Sequence, residues 1–228
     1  MSDHEQGEQA EQAEVDPADA GPPLLPLPMF PLGCVLFPHM DLPLHVFEPR
    51  YRTLTRDCLR TDRQFGVVLI ERGSEVGGGD TRFSVGTVAR IVEELELPDG
   101  RWVLRARGTT RVRVRTWLPD DPYPVALVER LGDEADRPSQ AAMAGAEQAV
   151  RRALGLAAEL AEREVVPATV ELDERPEVAA WQLCAIAPLG PADQQRLLEA
   201  DDAGERMGLL ELAAVQAAEL LAFRMSSS

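Results

Sequence analysis

The chain has 228 residues, of which 45% are hydrophobic, and a formal charge of −16. No apolar run approaches the roughly 18 residues of a membrane span, so it reads as a soluble globular protein with one large or two small cores. All 23 basic residues are arginine, and the chain contains neither lysine nor asparagine; a GC-rich, bacterial coding sequence explains that bias, which also removes every reaction that needs a lysine.

Residues 1–21 carry seven acids and no arginine. With almost nothing apolar to bury, this segment is expected to be a disordered acidic tail that solubilises the chain. It has neither the basic start nor the apolar stretch of a secretory signal, which makes the cytoplasm the expected location. Leu24 to Phe30 opens the first strand, kept near a sheet edge by Pro22, Pro23, Pro26 and Pro28. Prolines continue at Pro31, Pro38, Pro43 and Pro49 and forbid a long helix. Val35 to Phe37 and Leu42 to Phe47 therefore read as two short strands around a bend at 38–41. Glu48 then stands at an N-cap with Pro49 at the first helical position, and Tyr51, Leu54, Cys58 and Leu59 recur at helical spacing up to Thr61.

Phe65 to Ile70 is a continuous apolar run of strand length and is expected to be central in a sheet. The glycines at 73 and 77–79 make a loop, not a phosphate cradle, since no lysine follows them. Val85 to Leu97 and Trp102 to Trp117 form two long arms joined by an Asp-Gly turn at 99–100, and Gly108 marks a bulge or bend in the second arm. Tyr123 to Leu131 adds a further strand. From there the composition shifts. Ala141 to Glu164, Pro176 to Ala187, a helix begun by Pro191, and a last one capped by Asp201 or Asp202 and running to Phe223 all have helical propensity or period. That last helix is apolar around so much of its circumference that it is expected to be buried on more than one side, within the helical half and against the strands.

The order of elements gives an α+β fold, with a disordered acidic tail at 1–21, a β-rich part at 22–132 and a helical part at 138–224. The string FPLGCVLFPHMDLPLHVFEPRYR from Phe30, followed by FGVVLI at Phe65 and VGTVARI at Val85, resembles the Lon protease N-terminal (substrate-binding) domain family, and in particular its free-standing bacterial members. The resemblance covers about residues 24–223. It implies a small, curled, mixed sheet of the PUA-like kind with one short helix, followed by a helical bundle. It also implies a protein that is not an enzyme, binds unfolded or apolar polypeptide, and serves quality control beside a protease or chaperone.

The residues agree with a binding module rather than a catalyst. The absence of lysine excludes a P-loop lysine and a Ser-Lys dyad; no G-x-S-x-G occurs, and His4, His39 and His45 lie in the tail, a proline bend and a strand. Three widely spaced cysteines, Cys34, Cys58 and Cys184, form no CxxC pair and read as buried thiols, so neither a metal nor a cofactor is expected. Phe37, Met40, Leu42 and Leu44 crowd large apolar groups into short strands and are the candidate peptide contacts, with strand addition to an open sheet edge as a related mode. Arg105, Arg107, Arg111, Arg113 and Arg115 alternate with smaller residues and are the candidate contacts of the alternative, an RNA-binding sheet face. The favoured reading of that row is a solvated strand face paired with the acids Glu93, Glu94 and Glu96, because no aromatic residues interleave for base stacking.

Overall fold

The structure, a computed structural model of the chain, describes residues 23–72, 81–132, 137–160 and 166–226. The acidic tail expected at 1–21 and the glycine loop at 73–80 lie outside the described residues. Six strands, β1 (Leu25–Leu32), β2 (Asp41–Val46), β3 (Gln64–Arg72), β4 (Thr81–Glu96), β5 (Trp102–Trp117) and β6 (Val125–Arg130), form one mixed sheet in the order β2-β5-β4-β3-β1-β6. β1 runs parallel to β3, and every other pair is antiparallel. The fold class is α+β, as the order of elements predicts, and the sheet is mixed, as the resemblance implied.

The curl runs to closure. β6 pairs with β1, Leu27 opposite Ala126, and also with the far end of β5, Val114 opposite Val128. Five strands thus form a ring, β5-β4-β3-β1-β6, and β2 hangs on its outside along the near end of β5, Leu44 opposite Leu104. Period-2 alternation sorts the side chains. Leu27, Met29, Val68, Val88, Val112, Val114, Ala126 and Val128, drawn from all five ring strands, fill the interior. The opposite faces of β1, β3 and β4 present Phe30, Phe65, Val67 and Ile91, which α1 (Pro49–Arg60) covers through Tyr51, Leu54 and Cys58. Phe30 and Tyr51 stack with ring centroids 4.0 Å apart. Glu48 is the N-cap of α1 by position, but its carboxylate accepts from Arg50 and makes no capping bond.

The register slips where glycine allows it. Thr87 faces Arg111 and Ala89 faces Gly108, so β5 carries one extra residue across this interval. Gly108 exchanges backbone bonds with His39 and Met40, and a Cβ there would overlap the Phe37 carbonyl oxygen. The slip restores Arg111 to the same outer face as Ala106.

Four helices follow: α2 (Gln140–Leu160), α3 (Pro176–Ile186), α4 (Pro191–Glu199) and α5 (Ala203–Ser226). Asp202 caps α5, its Oδ1 accepting from the Glu205 N–H at 2.8 Å while Glu205 returns a bond to the Asp201 N–H. One cluster joins the helices to the sheet: Phe37 and Val85 pack with Val150, Leu154, Trp181, Leu183, Leu197, Leu198, Met207 and Leu210. Buried polar groups cross the same join. Gln195 donates to the Val85 carbonyl at 3.1 Å, and Arg111 donates to the carbonyls of Leu198 and Ala200 at 2.8 and 2.6 Å.

Three expectations are corrected. Val35 to Phe37 is not a strand; it crosses to β2 without a ladder, although Leu36 and Phe37 are buried, because apolar content and proline framing mark burial and extension but not pairing. Cys34 is exposed, whereas Cys58 and Cys184 are buried. The last helix is buried on one stripe only, Ala203, Arg206, Met207, Leu210, Ala214 and Ala218, and leaves Leu212, Leu220 and Phe223 more than half exposed. Met207, Leu210 and Ala214 of that stripe enter the core shared with the other helices, and Leu212, Leu220 and Phe223 lie off it.

Candidate functional site

Among the described residues β2 takes one neighbour, β5, so its other edge is open to a further strand. Beside that edge lies a groove of about 150 Å³, lined by Phe30, Leu32, Pro43, Leu44, His45, Val46, Phe47, Glu48 and Tyr51. On the outward face of the sheet, exposed apolar residues follow on from this edge across β5 and β4. His45 stands opposite Val103, and Val103 opposite Leu95, with Val103 41%, Phe47 54% and Leu95 59% exposed. With Val92, 38% exposed, these are large apolar residues that this end of the sheet leaves in water; Phe47 directly follows the strand whose open edge could accept another strand, and Val103 and Leu95 lie one and two strands in from it.

A charged row sits beside them. Arg105 pairs with Glu93 across the hairpin and with Asp41 at 3.1 Å, while Arg107 reaches Asp41 at 2.7 Å. Hydrogen bonds from Arg107, then from Arg105, hold the Asp41 carboxyl below the usual range, and the Arg105 bond does the same for Glu93. Arg56 of α1 takes Glu96, and Arg63, in the turn after α1, takes Glu94, so the helix and the turn that follows it are each tied to the outer arm of β4.

Of the peptide contacts expected from sequence, Phe37 is 1% exposed, its ring 5.7 Å from that of Trp181, and Leu42 is 9% exposed within the α1 core; both are core residues. Met40 is half-buried and Leu44 lines the groove. Sequence reasoning passed over Phe47, Leu95 and Val103. Phe47 ended a strand already assigned, and the exposure of the other two depends on which arm of the hairpin β2 covers. The arginines expected to share one solvated face separate. Arg105, Arg107 and Arg115 are ion-paired, Arg115 with Glu129; Arg113 is half-buried; Arg111 is 3% exposed and turned to the helices. No group of His, Cys, Asp and Glu suited to a metal ion occurs among the described residues.

The sheet thus carries an open strand edge beside a largely apolar groove. Residues 26–212 match the sequence profile of the ATP-dependent protease La (LON) substrate-binding domain, and the chain belongs to that family. It is 31% identical over 206 residues to Lon protease 2 of Sorangium cellulosum, which covers 86% of this chain and 25% of that one. To the LON peptidase N-terminal domain and RING finger protein of Schizosaccharomyces pombe it is 24% identical over 231 residues, covering 89% and 47%. Among solved structures it is similar to the Lon N-terminal domain protein of Xanthomonas campestris, with a TM-score of 0.59, 30% identity and coverage of 82% and 96%. The N-terminal domain of the Mycobacterium avium complex Lon protease shares the fold, with a TM-score of 0.55 at 15% identity. The chain thus spans about a quarter of the length of such Lon proteases, and the matched part is their substrate-binding domain, not their catalytic module.

Proposed function

We propose that the chain binds unfolded or apolar polypeptide segments by adding them as a strand to the free edge of β2. Their side chains would enter the groove of Leu44, Phe47 and Tyr51 beside that edge. The observation that carries this reading is the coincidence of the open edge of β2 with a groove alongside it and with the exposed Phe47 that directly follows the strand. Backbone pairing supplies affinity without sequence, and the groove supplies a preference for apolar side chains at alternate positions. The family's named role, substrate binding, supports a polypeptide ligand. In this reading the chain is non-catalytic and serves quality control by presenting bound chains to a protease or chaperone.

Fluorescence anisotropy with a labelled, permanently unfolded protein tests it. The native chain should bind in the micromolar range, and Leu44→Ser with Phe47→Ser should weaken binding about tenfold or more, equivalent to about 1.4 kcal/mol. Wild-type affinity in that double variant, with the fold verified by circular dichroism, would refute the site; no binding by the native chain would refute the function. A parallel titration with structured RNA at low salt separates the nucleic-acid alternative, whose affinity would fall steeply with added salt.

A further inference from the structure

The ring of five strands has a mouth, and its residues are unlike those of the rest of the barrel interior. At the end where β1 and β3 begin and β6 finishes lies a cavity of about 180 Å³ lined by Leu25, Leu27, Val88, Val112 and Val128. Val88, Val112 and Val128 are at most 2% exposed, so the floor is the packed interior itself. For scale, an apolar cavity of about 150 Å³ is large enough to hold a benzene molecule. The space therefore suits one apolar side chain and is too small for a folded element.

The rim carries both signs of charge. Asp62, Gln64 and Arg130 line it. Gln64 stands between the other two: its backbone N–H donates to Asp62 Oδ1 at 3.2 Å, and its side-chain oxygen accepts from Arg130 at 3.4 Å. An acid and a base are thus each within reach of one glutamine, yet among the described residues neither forms an ion pair, with the other or with a third group. Elsewhere on this sheet opposite charges so placed do pair, as Arg105 with Glu93 and Arg115 with Glu129. Arg90, opposite Gln64 in the β3–β4 register, stands at the same end.

We propose that the barrel mouth binds the zwitterion of a free apolar amino acid of the size of leucine. Its carboxylate would take the Arg130 guanidinium, a planar fork suited to that group, and its ammonium would take Asp62. Its side chain would enter the cavity over Val112 and Val128. A lone carboxylate or amine would satisfy only one side of the rim, and an internal peptide segment offers neither charge. The site lies inside one end of the ring, apart from the β2 edge, and it does not depend on polypeptide binding there.

Isothermal titration of the full chain with L-leucine tests the assignment. Saturable one-site binding of roughly millimolar affinity or tighter is expected, as befits a ligand of so few atoms. Arg130→Gln and Asp62→Asn change exposed rim residues and should leave the circular dichroism spectrum and melting temperature unchanged while weakening leucine at least tenfold each. N-acetyl-leucinamide, which lacks both charges, should fail to compete. Absence of binding at 10 mM leucine (roughly tenfold above that affinity), or unchanged affinity in both variants, would overturn the assignment. So would 4-methylvalerate binding as tightly as leucine, since the site would then recognise a carboxylate alone. A leucine-terminated peptide binding more tightly than free leucine would overturn it too, in favour of a chain-end site.

Discussion

Arg111 carries more of this molecule than its place in a row of arginines suggests. Its guanidinium is buried and donates to the last carbonyls of α4, groups that the end of a helix leaves without intrahelical donors and that a cation there favours. Arg111→Met keeps the length of the stem but strips the donors, and it should lower stability by about 2–4 kcal/mol in urea unfolding. Arg107→Met, whose partner Asp41 is exposed and keeps Arg105, should cost under about 1 kcal/mol. The sequence shows five arginines at alternate positions and predicts one shared face. It does not show the extra residue between Gly108 and Arg111, because a slipped register changes partners without changing composition; Gly108 is the only hint. The cysteines divide in a similar way. Burial pushes the thiols of Cys58 and Cys184 up to about 12, whereas Cys34 is exposed. Since the thiolate is the reactive form, a thiol reagent at pH 8 should modify Cys34 alone in the native protein and all three cysteines after unfolding.

Among the elements, α5 shows how far helical periodicity can be trusted. Its start at the Asp201-Asp202 pair and its length were legible from capping residues and apolar recurrence, but its buried side was not. Leu209, Leu210 and Leu212 are equivalent as text, and only the neighbouring α2 decides that Leu210 is enclosed and Leu212 is not. Leu210→Ala should cost about 2–5 kcal/mol, and Leu212→Ala or Phe223→Ala should stay within about 0.5 kcal/mol, as read by thermal or denaturant unfolding. β2 is held to β5 partly by Asp41, whose carboxyl lies below its unfolded value because Arg107 and Arg105 hydrogen-bond to it. A carboxyl depressed on folding contributes stability above its unfolded pKa, near 4, and loses it as pH falls through the folded value. Asp41→Asn should therefore narrow its stability deficit relative to wild type below about pH 4, by less than about 1 kcal/mol because the pair is exposed. Urea titrations at pH 3 and pH 7 measure the difference.

On the scale of the whole molecule, the strands and the helices should unfold as one unit. Phe37 and Val85 share a core with four helices, and Arg111 and Gln195 bridge the join through buried bonds. Denaturation followed by far-ultraviolet circular dichroism should coincide with that followed by tryptophan fluorescence, Trp102 in the strand part and Trp181 in the helical part both reporting. Two separated transitions would show that the halves come apart. The barrel adds a matter of timing. Its first strand lies between β3 and β6, and Leu27 meets Ala126 about a hundred positions further along. At a translation rate of roughly 5–20 residues per second, β1 leaves the ribosome several seconds before its second neighbour exists. During that interval the nascent chain exposes, on β1, the kind of unpaired apolar edge that the finished protein is proposed to recognise in others. A member of a family named for handling protease substrates therefore passes through a substrate-like stage of its own, and ring closure by β6 is the event that ends it.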